Sequence, residues 1–292
     1  MKFGKAFNLE NIDFSLPIEA SENRLILQNA NAEFSRIYIG STAWVVPAWK
    51  GLLYPKKVRS NEYLYHYSRQ FNSIELNTTH YRLPSKDQVQ QWKDQVPEDF
   101  RFCPKVWNNI SHRKSLGLNN RDIISFCLSV ANFSENLGIC FLQLPPYFGE
   151  YRLNALEALL RQWPREIPLA VEVRHESFHL NNHNHCFFDL CFKYGATALV
   201  TDVAGRRDLM HSRLTQPKAM IRWVGNGNHP TDTIRLRDWA DRLTHWINQG
   251  IEEIYFFPHQ TDQLIMPFNA KELYDLLSPN AKCAGRTPSL LI

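Results

Sequence analysis

Eight short runs of β-branched and aromatic residues recur along this chain, most of them followed by a stretch with helical spacing, and this alternation limits the fold more than any other feature. The runs are 37–40, 73–77, 101–106, 138–144, 169–174, 196–202, 219–224 and 253–257. Between and after them, segments 61–70, 86–95, 122–136, 154–163, 185–194, 236–248 and 270–277 read as helices, several with apolar side chains at i, i+3 and i+4. The sixth unit is the weakest, because 205–211 can supply only a short helix. Gly195 and Gly250 stand where helices are expected to stop. Eight βα units predict closure into a TIM-type (β/α)₈ barrel, and an open doubly wound sheet is the alternative that fits the same pattern.

A length of 292 residues suits one such barrel, and no low-complexity linker divides the chain. Residues 1–35 are polar, rich in Asn and poorly periodic, so they read as an N-terminal extension that lies on the domain or is partly disordered. The barrel is assigned to 36–278 and a C-terminal tail to 279–292.

Strand alternation sorts the charges. Successive side chains point to opposite faces, and the apolar set should face the helices. In the second run Ile74 and Leu76 then face outward, while Ser73, Glu75 and Asn77 face the interior. The same split turns inward Arg101, Cys103 and Lys105, then Phe141 and Gln143, then Ala170, Glu172 and Arg174. Asp202 ends the sixth run and Arg222 lies on the seventh. Polar groups thus collect at the C-terminal ends of the strands, where barrels of this type build their sites. A purely structural ion-pair network is the competing explanation, since Glu75, Glu172 and Asp202 can balance Lys105, Arg174 and Arg222. Burial of ions is costly and apolar packing serves stability better, which favours a ligand site.

Net charge is +4, too small to mark a nucleic-acid binder without a concentrated basic face. The densest basic stretch, from Arg101 through Lys105, His112, Arg113 and Lys114 to Arg121, is more simply a solvated loop, so nucleic acid is a disfavoured partner. The six cysteines include no C-x-x-C pair, which suits a reduced, cytoplasmic protein. No signal-peptide core or membrane-length apolar run is present, so no membrane partner is expected, and the oligomeric state is left open.

The residues at the strand ends carry a resemblance. Ile37-Tyr38-Ile39-Gly40 with Trp44, Lys50-Gly51, Tyr54-Pro55, Phe71-Asn72-Ser73-Ile74-Glu75-Leu76-Asn77, Thr79 and Tyr81-Arg82-Leu83-Pro84 open it. Phe100-Arg101-Phe102, Lys105, Ile110-Ser111-His112, Leu137-Gly138, Phe141-Leu142-Gln143-Leu144-Pro145-Pro146 and Ala170-Val171-Glu172-Val173-Arg174-His175 continue it. Taken together the chain resembles the YecE-like family, a domain of unknown function. The resemblance implies a TIM-barrel, a bacterial-type soluble protein and no established activity. Two departures stand out: Phe178 replaces a usual Trp, and Arg222-Trp223-Val224-Gly225 lacks the His of the usual Arg-Leu-His-Gly.

Three chemistries follow. An acid/base enzyme acting on a polyhydroxylated or anionic small-molecule substrate would use Glu75, Glu172, Asp202 and Lys105 as catalytic groups. Asn77, Tyr81, Gln143, Arg174, His175, Arg222 and Trp44 would bind the substrate, the arginines by their planar forks and the aromatics by stacking. On this reading Glu75→Gln or Glu172→Gln removes activity and spares the fold, and one carboxyl should have a raised pKa. The second chemistry is metal-assisted phosphodiester or phosphate-ester hydrolysis through Glu75, Glu172, Asp202, His175 and His259. Interior cations argue against it; no cofactor is predicted, and a divalent metal is left open. The run from His175 to Cys186, with His179, His183 and His185, looks zinc-like but sits in an Asn-rich loop without paired ligand spacing, so no metal ligand is assigned there. The third is a non-catalytic barrel that binds an anion, because fold does not imply function.

Overall fold

Each strand of the expected series pairs in parallel with its neighbour in sequence, and the last pairs with the first. The computed structural model describes residues 4, 6, 8–30, 32–116, 121–180, 185–280, 282–286 and 288–290. Its strands are β1 (Ser35–Ser41), β2 (Ser73–Leu76), β3 (Arg101–Pro104), β4 (Cys140–Gln143), β5 (Leu169–Glu172), β6 (Thr197–Ala198), β7 (Val200–Asp202), β8 (Lys218–Val224), β9 (Glu253–His259) and β10 (Cys283–Ala284). Ladders run β3-β2-β1-β9-β8-β7 and β4-β5-β6, all parallel. Two seams join them. At the first, Gly138 N–H donates to Phe102 O at 2.7 Å and Val106 N–H to Phe141 O at 2.9 Å. At the second, β6 and β7 are pieces of one strand split at Leu199, whose N–H donates to Val171 O at 2.9 Å.

Helices α1 (Asn23–Ala30), α2 (Tyr63–Gln70), α3 (Lys86–Lys93), α4 (Asn108–Ser111), α5 (Arg121–Ala131), α6 (Leu153–Gln162), α7 (Cys186–Tyr194), α8 (Pro230–Asn248) and α9 (Met266–Leu277), with short 3₁₀ turns among them, complete the described elements. Local chemistry sets several of their ends. The His185 ring accepts from Phe187 N–H at the start of α7, and Gly195 ends it at φ +74°. Pro230 opens α8, where its missing N–H leaves no broken bond. The sixth unit has only a 3₁₀ turn at Ala204–Leu209, as its sequence suggested.

Alternation makes two cores. Tyr38, Cys103, Phe141, Ala170, Leu199, Met220 and Tyr255 fill the barrel interior, with Tyr38 stacked on Tyr255 at 4.7 Å between ring centroids. A larger apolar layer, including Ile37, Ile74, Val171, Ile221, Trp239 and Trp246, lies between strands and helices. One step further along the inward face, apolar becomes polar on five strands: Cys103 gives way to Lys105, Phe141 to Gln143, Ala170 to Glu172, Met220 to Arg222 and Phe257 to His259. The barrel is therefore plugged below and charged above.

The described residues of 4–30 form a strap on the outside of this barrel. Asn23 Nδ2 donates to Ser212 O at 2.7 Å, and Leu214 N–H returns a bond to Asn23 Oδ1 at 2.7 Å. Ser212 Oγ donates to Ile18 O, and Trp246 Nε1 on α8 donates to Glu19 Oε1 at 2.8 Å. At the other end of the chain β10 pairs with Ser35 and Arg36 of β1. Among the described residues no helix is long and apolar enough to cross a membrane.

Candidate functional site

A cavity of about 700 Å³ opens at the C-terminal ends of the strands, a volume suited to a small molecule. Of the residues singled out from sequence, Glu75, Asn77, Lys105, Gln143, Arg174 and Arg222 line it, and Glu172 lies buried beside them. Arg222 on β8 is the hub. Its Nε and Nη2 donate to Glu75 Oε2 and Oε1 at 3.0 and 2.9 Å, and Nη1 donates to Glu172 Oε2 at 2.7 Å. Arg174 Nε holds the other Glu172 oxygen at 2.6 Å. Gln143 links the pair to the lysine: its Nε2 donates to Glu172 Oε2, and its Oε1 accepts from Lys105 Nζ, both at 2.8 Å. Asn77 Nδ2 donates to Glu75 Oε1 at 3.0 Å.

This wiring decides the charges. Burial alone would raise both carboxyls, but Arg222 with His259 outweighs it at Glu75, which stays well below the usual carboxylate range. Arg174 and Arg222 do the same at Glu172, brought down to about 2 despite its burial. The raised-pKa carboxyl expected of a general acid is thus absent from this pair; each glutamate is a fixed negative charge. Lys105 is different. Burial, with Arg222 adding to it, lowers its ammonium to about 8.

His259, weighed from sequence only as a metal donor, belongs to the site. Its Nε2 lies 3.0 Å from Glu75 Oε2, and burial holds the imidazole below its ordinary range. A neutral ring that gives its Nε2–H to Glu75 keeps a lone pair on Nδ1 for accepting a proton. Sequence alternation stopped at Phe257 because Pro258 interrupts a strand pattern, yet β9 continues through it to His259. Thr42, Gln260 and the strap residues Gly4, Ala6 and Leu9 also line the cavity and were not anticipated.

Four expected site residues lie elsewhere. Asp202 points outward, since Leu199 in the barrel core and Val203 on the cavity occupy the inward register. It is fully buried between barrel and helices, paired with Arg235 of α8 at 2.8 Å, with Arg207, and with Trp239 Nε1 at 2.8 Å. The rule that outward residues are apolar failed because α8 supplies a buried arginine. Trp44 packs edge-on against Trp92 of α3 at 5.6 Å. Tyr81 is 74% exposed. His175 is engaged with Ser177, its Nδ1 2.9 Å from the hydroxyl. His183 lies outside the described residues, and among those described no three His, Cys, Asp or Glu side chains gather as metal ligands.

The sequence model for "Protein of unknown function DUF72" matches residues 38–290, which includes every strand of the barrel except the start of β1. The chain belongs to the DUF72 family. The UPF0759 protein YecE of Escherichia coli (strain K12) is 28% identical over 273 residues, covering 87% of this chain and 97% of that one. The UPF0759 protein YunF of Bacillus subtilis (strain 168) is 28% identical over 152 residues, 49% of this chain and 52% of the other. Among solved structures, a DUF72 family protein of Enterococcus faecalis V583 superposes with a TM-score of 0.68 at 19% identity, covering 87% of this chain and 98% of that one. A DUF72 family protein of Thermotoga maritima MSB8 gives 0.59 at 22% identity, with 76% and 92% covered. These likenesses support the DUF72 fold, and the YecE-like resemblance read from the strand ends agrees with the family.

Proposed function

We propose that this DUF72 protein is an acid/base enzyme acting on a small anionic, polyhydroxylated substrate in the strand-end cavity. One observation carries the reading: Lys105 is the one charged cavity side chain, among the described residues, with no carboxylate within ion-pair distance. Its neighbours Arg174 and Arg222 are each bound to a glutamate, so Lys105 is the cation left to meet a substrate anion. Its lowered pKa near 8 also lets it give or take a proton close to neutrality. His259 is the complementary base, oriented by Glu75. Asn77, Gln260, Thr42 and Thr261 supply the amide and hydroxyl groups that sugar-like hydroxyls bond. Glu75 and Glu172 serve as electrostatic supports, and Asp202 has no part in this chemistry. Six free thiols accord with a reduced cytoplasmic setting.

A second reading, a barrel that binds an anion without turning it over, draws support from the arginine pairing that keeps both glutamates ionised. One experiment separates the two. Purified protein is incubated with sugar phosphates and sugar acids and followed by proton and phosphorus NMR. Turnover that disappears in Lys105→Met and in His259→Asn supports the enzyme; an anion that binds and stays unchanged overturns it in favour of the binder.

A further inference from the structure

The cavity has a charged floor but one apolar wall, and half of that wall comes from outside the DUF72 match. Ala6 and Leu9 of the strap line it together with Val203 and Val224, which follow β7 and end β8. We propose that the ligand is a hydroxylated anion that also carries an apolar part, and that the strap is the specificity-determining wall against which this part lies. The proposal rests on the reading of Lys105 as the anion's partner and adds the rest of the molecule.

Close contact seats the strap. Gly205 N–H donates to Gly4 O at 2.8 Å. A Cβ on Gly4, which has φ +68°, would stand 2.6 Å from Val203 Cγ1, and one on Gly205 would stand 2.8 Å from Gly4 O. Two glycines therefore let the two backbones touch at the rim of the cavity. Further along, Arg207 donates to the carbonyls of Phe14 and Ser15 at 3.1 and 3.0 Å, and Arg235 lies 5.2 Å from the centroid of the Phe14 ring. Asp202 pairs with both arginines. The carboxylate that lies outside the cavity is thus a positioning residue for the segment that walls it.

The anion is directed to the floor because the other expected place is filled. Barrels commonly hold phosphate on the loop after the seventh strand and the helix that follows. Here Asp232 already occupies that position. Its carboxylate accepts from Asn226 N–H at 2.9 Å, Asn228 N–H at 3.2 Å and Gln260 Nε2 at 3.1 Å. An anion therefore meets Lys105, and the apolar part of the ligand meets Leu9 and Val224.

Calorimetry with inorganic phosphate and phenyl phosphate tests the ligand class. The full chain is expected to prefer phenyl phosphate by about tenfold or more, equivalent to about 1.4 kcal/mol. In Leu9→Asn, which replaces an apolar wall residue without a new charge, that ratio should fall towards unity. Equal affinities in the unaltered protein, or an unchanged ratio in Leu9→Asn, overturn the apolar wall. Failure of both probes to bind the unaltered protein overturns the anion reading itself and the ligand class with it. The strap is judged separately, by the rate at which Lys105 is acylated by a bulky succinimidyl ester relative to acetic anhydride, read by mass spectrometry. That relative rate should rise several-fold in Gly205→Leu and in Asp202→Asn. An unchanged relative rate in the variant that retains the native near-ultraviolet spectrum overturns the strap as a wall, whatever the probes do.

Discussion

Arg222 grips Glu75 by both carboxylate oxygens, at 3.0 and 2.9 Å, in the paired geometry that only a guanidinium provides. Because its third nitrogen reaches Glu172, one side chain of β8 ties β2 to β5 across the top of the barrel. Arg222→Met leaves two buried carboxylates facing each other and should lower unfolding free energy by about 3–5 kcal/mol. Urea titration measures it, and a loss below about 1 kcal/mol would show the network to be stabilised from elsewhere. Glu75→Gln, which sequence alone suggested would spare the fold, should also reduce stability, since it breaks the same fork.

Lys105 gives a pH dependence whose direction is fixed by its burial. The folded ammonium titrates near 8, below its ordinary 10.5. Affinity for phosphate should be full well below pH 8 and fall as pH rises through it, and Lys105→Arg should retain affinity across that window. The unfolded chain keeps this proton up to its ordinary value, so this group makes unfolding less favourable as pH rises from about 8 to 10.5. Calorimetric titration from pH 6 to 10 checks the affinity; a flat profile removes Lys105 as the anion's partner.

Glu172 sets an opposite, acidic window. Its folded value, near 2 against an ordinary 4.5, means that its contribution is complete above about 4.5 and is lost as pH falls towards 2. Chemical unfolding followed between pH 5.5 and 2.5 should show the loss, with a shallower slope in Glu172→Gln. Equal slopes for the two proteins would assign the acid sensitivity to other carboxylates.

Asp202→Asn should destabilise the protein by about 3 kcal/mol or more, because it removes the charge that two arginines share. The effect should reach beyond the barrel. Hydrogen exchange is expected to quicken at Gly205, whose N–H donates to Gly4 O of the strap, and unchanged exchange there would separate the ion pair from the strap.

Gly40 answers a different constraint. A Cβ at this position would stand 2.1 Å from Ser73 O, on the strand that carries Glu75. Gly40→Ala must push β1 from β2 and should cost at least about 3 kcal/mol, the upper part of the overpacking range. A thermal melt of the variant shows it as a lowered Tm; wild-type stability would mean that the two strands part easily here.

The βα alternation was legible because each strand repeats one physical pattern, an outward apolar set that packs on helices. That pattern also placed Glu75, Lys105, Gln143, Glu172, Arg174 and Arg222 on the inward side, since on each of their strands the outward neighbours are apolar. It misled at Asp202, because its partner Arg235 lies on α8, 33 residues away, where spacing within the strand cannot reveal it. It stopped short at His259 because of Pro258. The strap was illegible for a related reason, as its bonds run mostly from side chains to carbonyls and leave no periodicity to read.

The strap also fixes an order of events. Asn23 and Ser212, which bond through side chain and backbone, are separated by 189 residues, so the segment that walls the cavity is synthesised long before its seat exists. It must wait, unanchored, until α8 and the strands around it have been made. Closing so long a loop late is slow compared with pairing neighbouring βα units. Barrel closure waits in the same way, because β1 must pair with β9, so the closed barrel and the wall of its cavity can form only once the C-terminal strands exist.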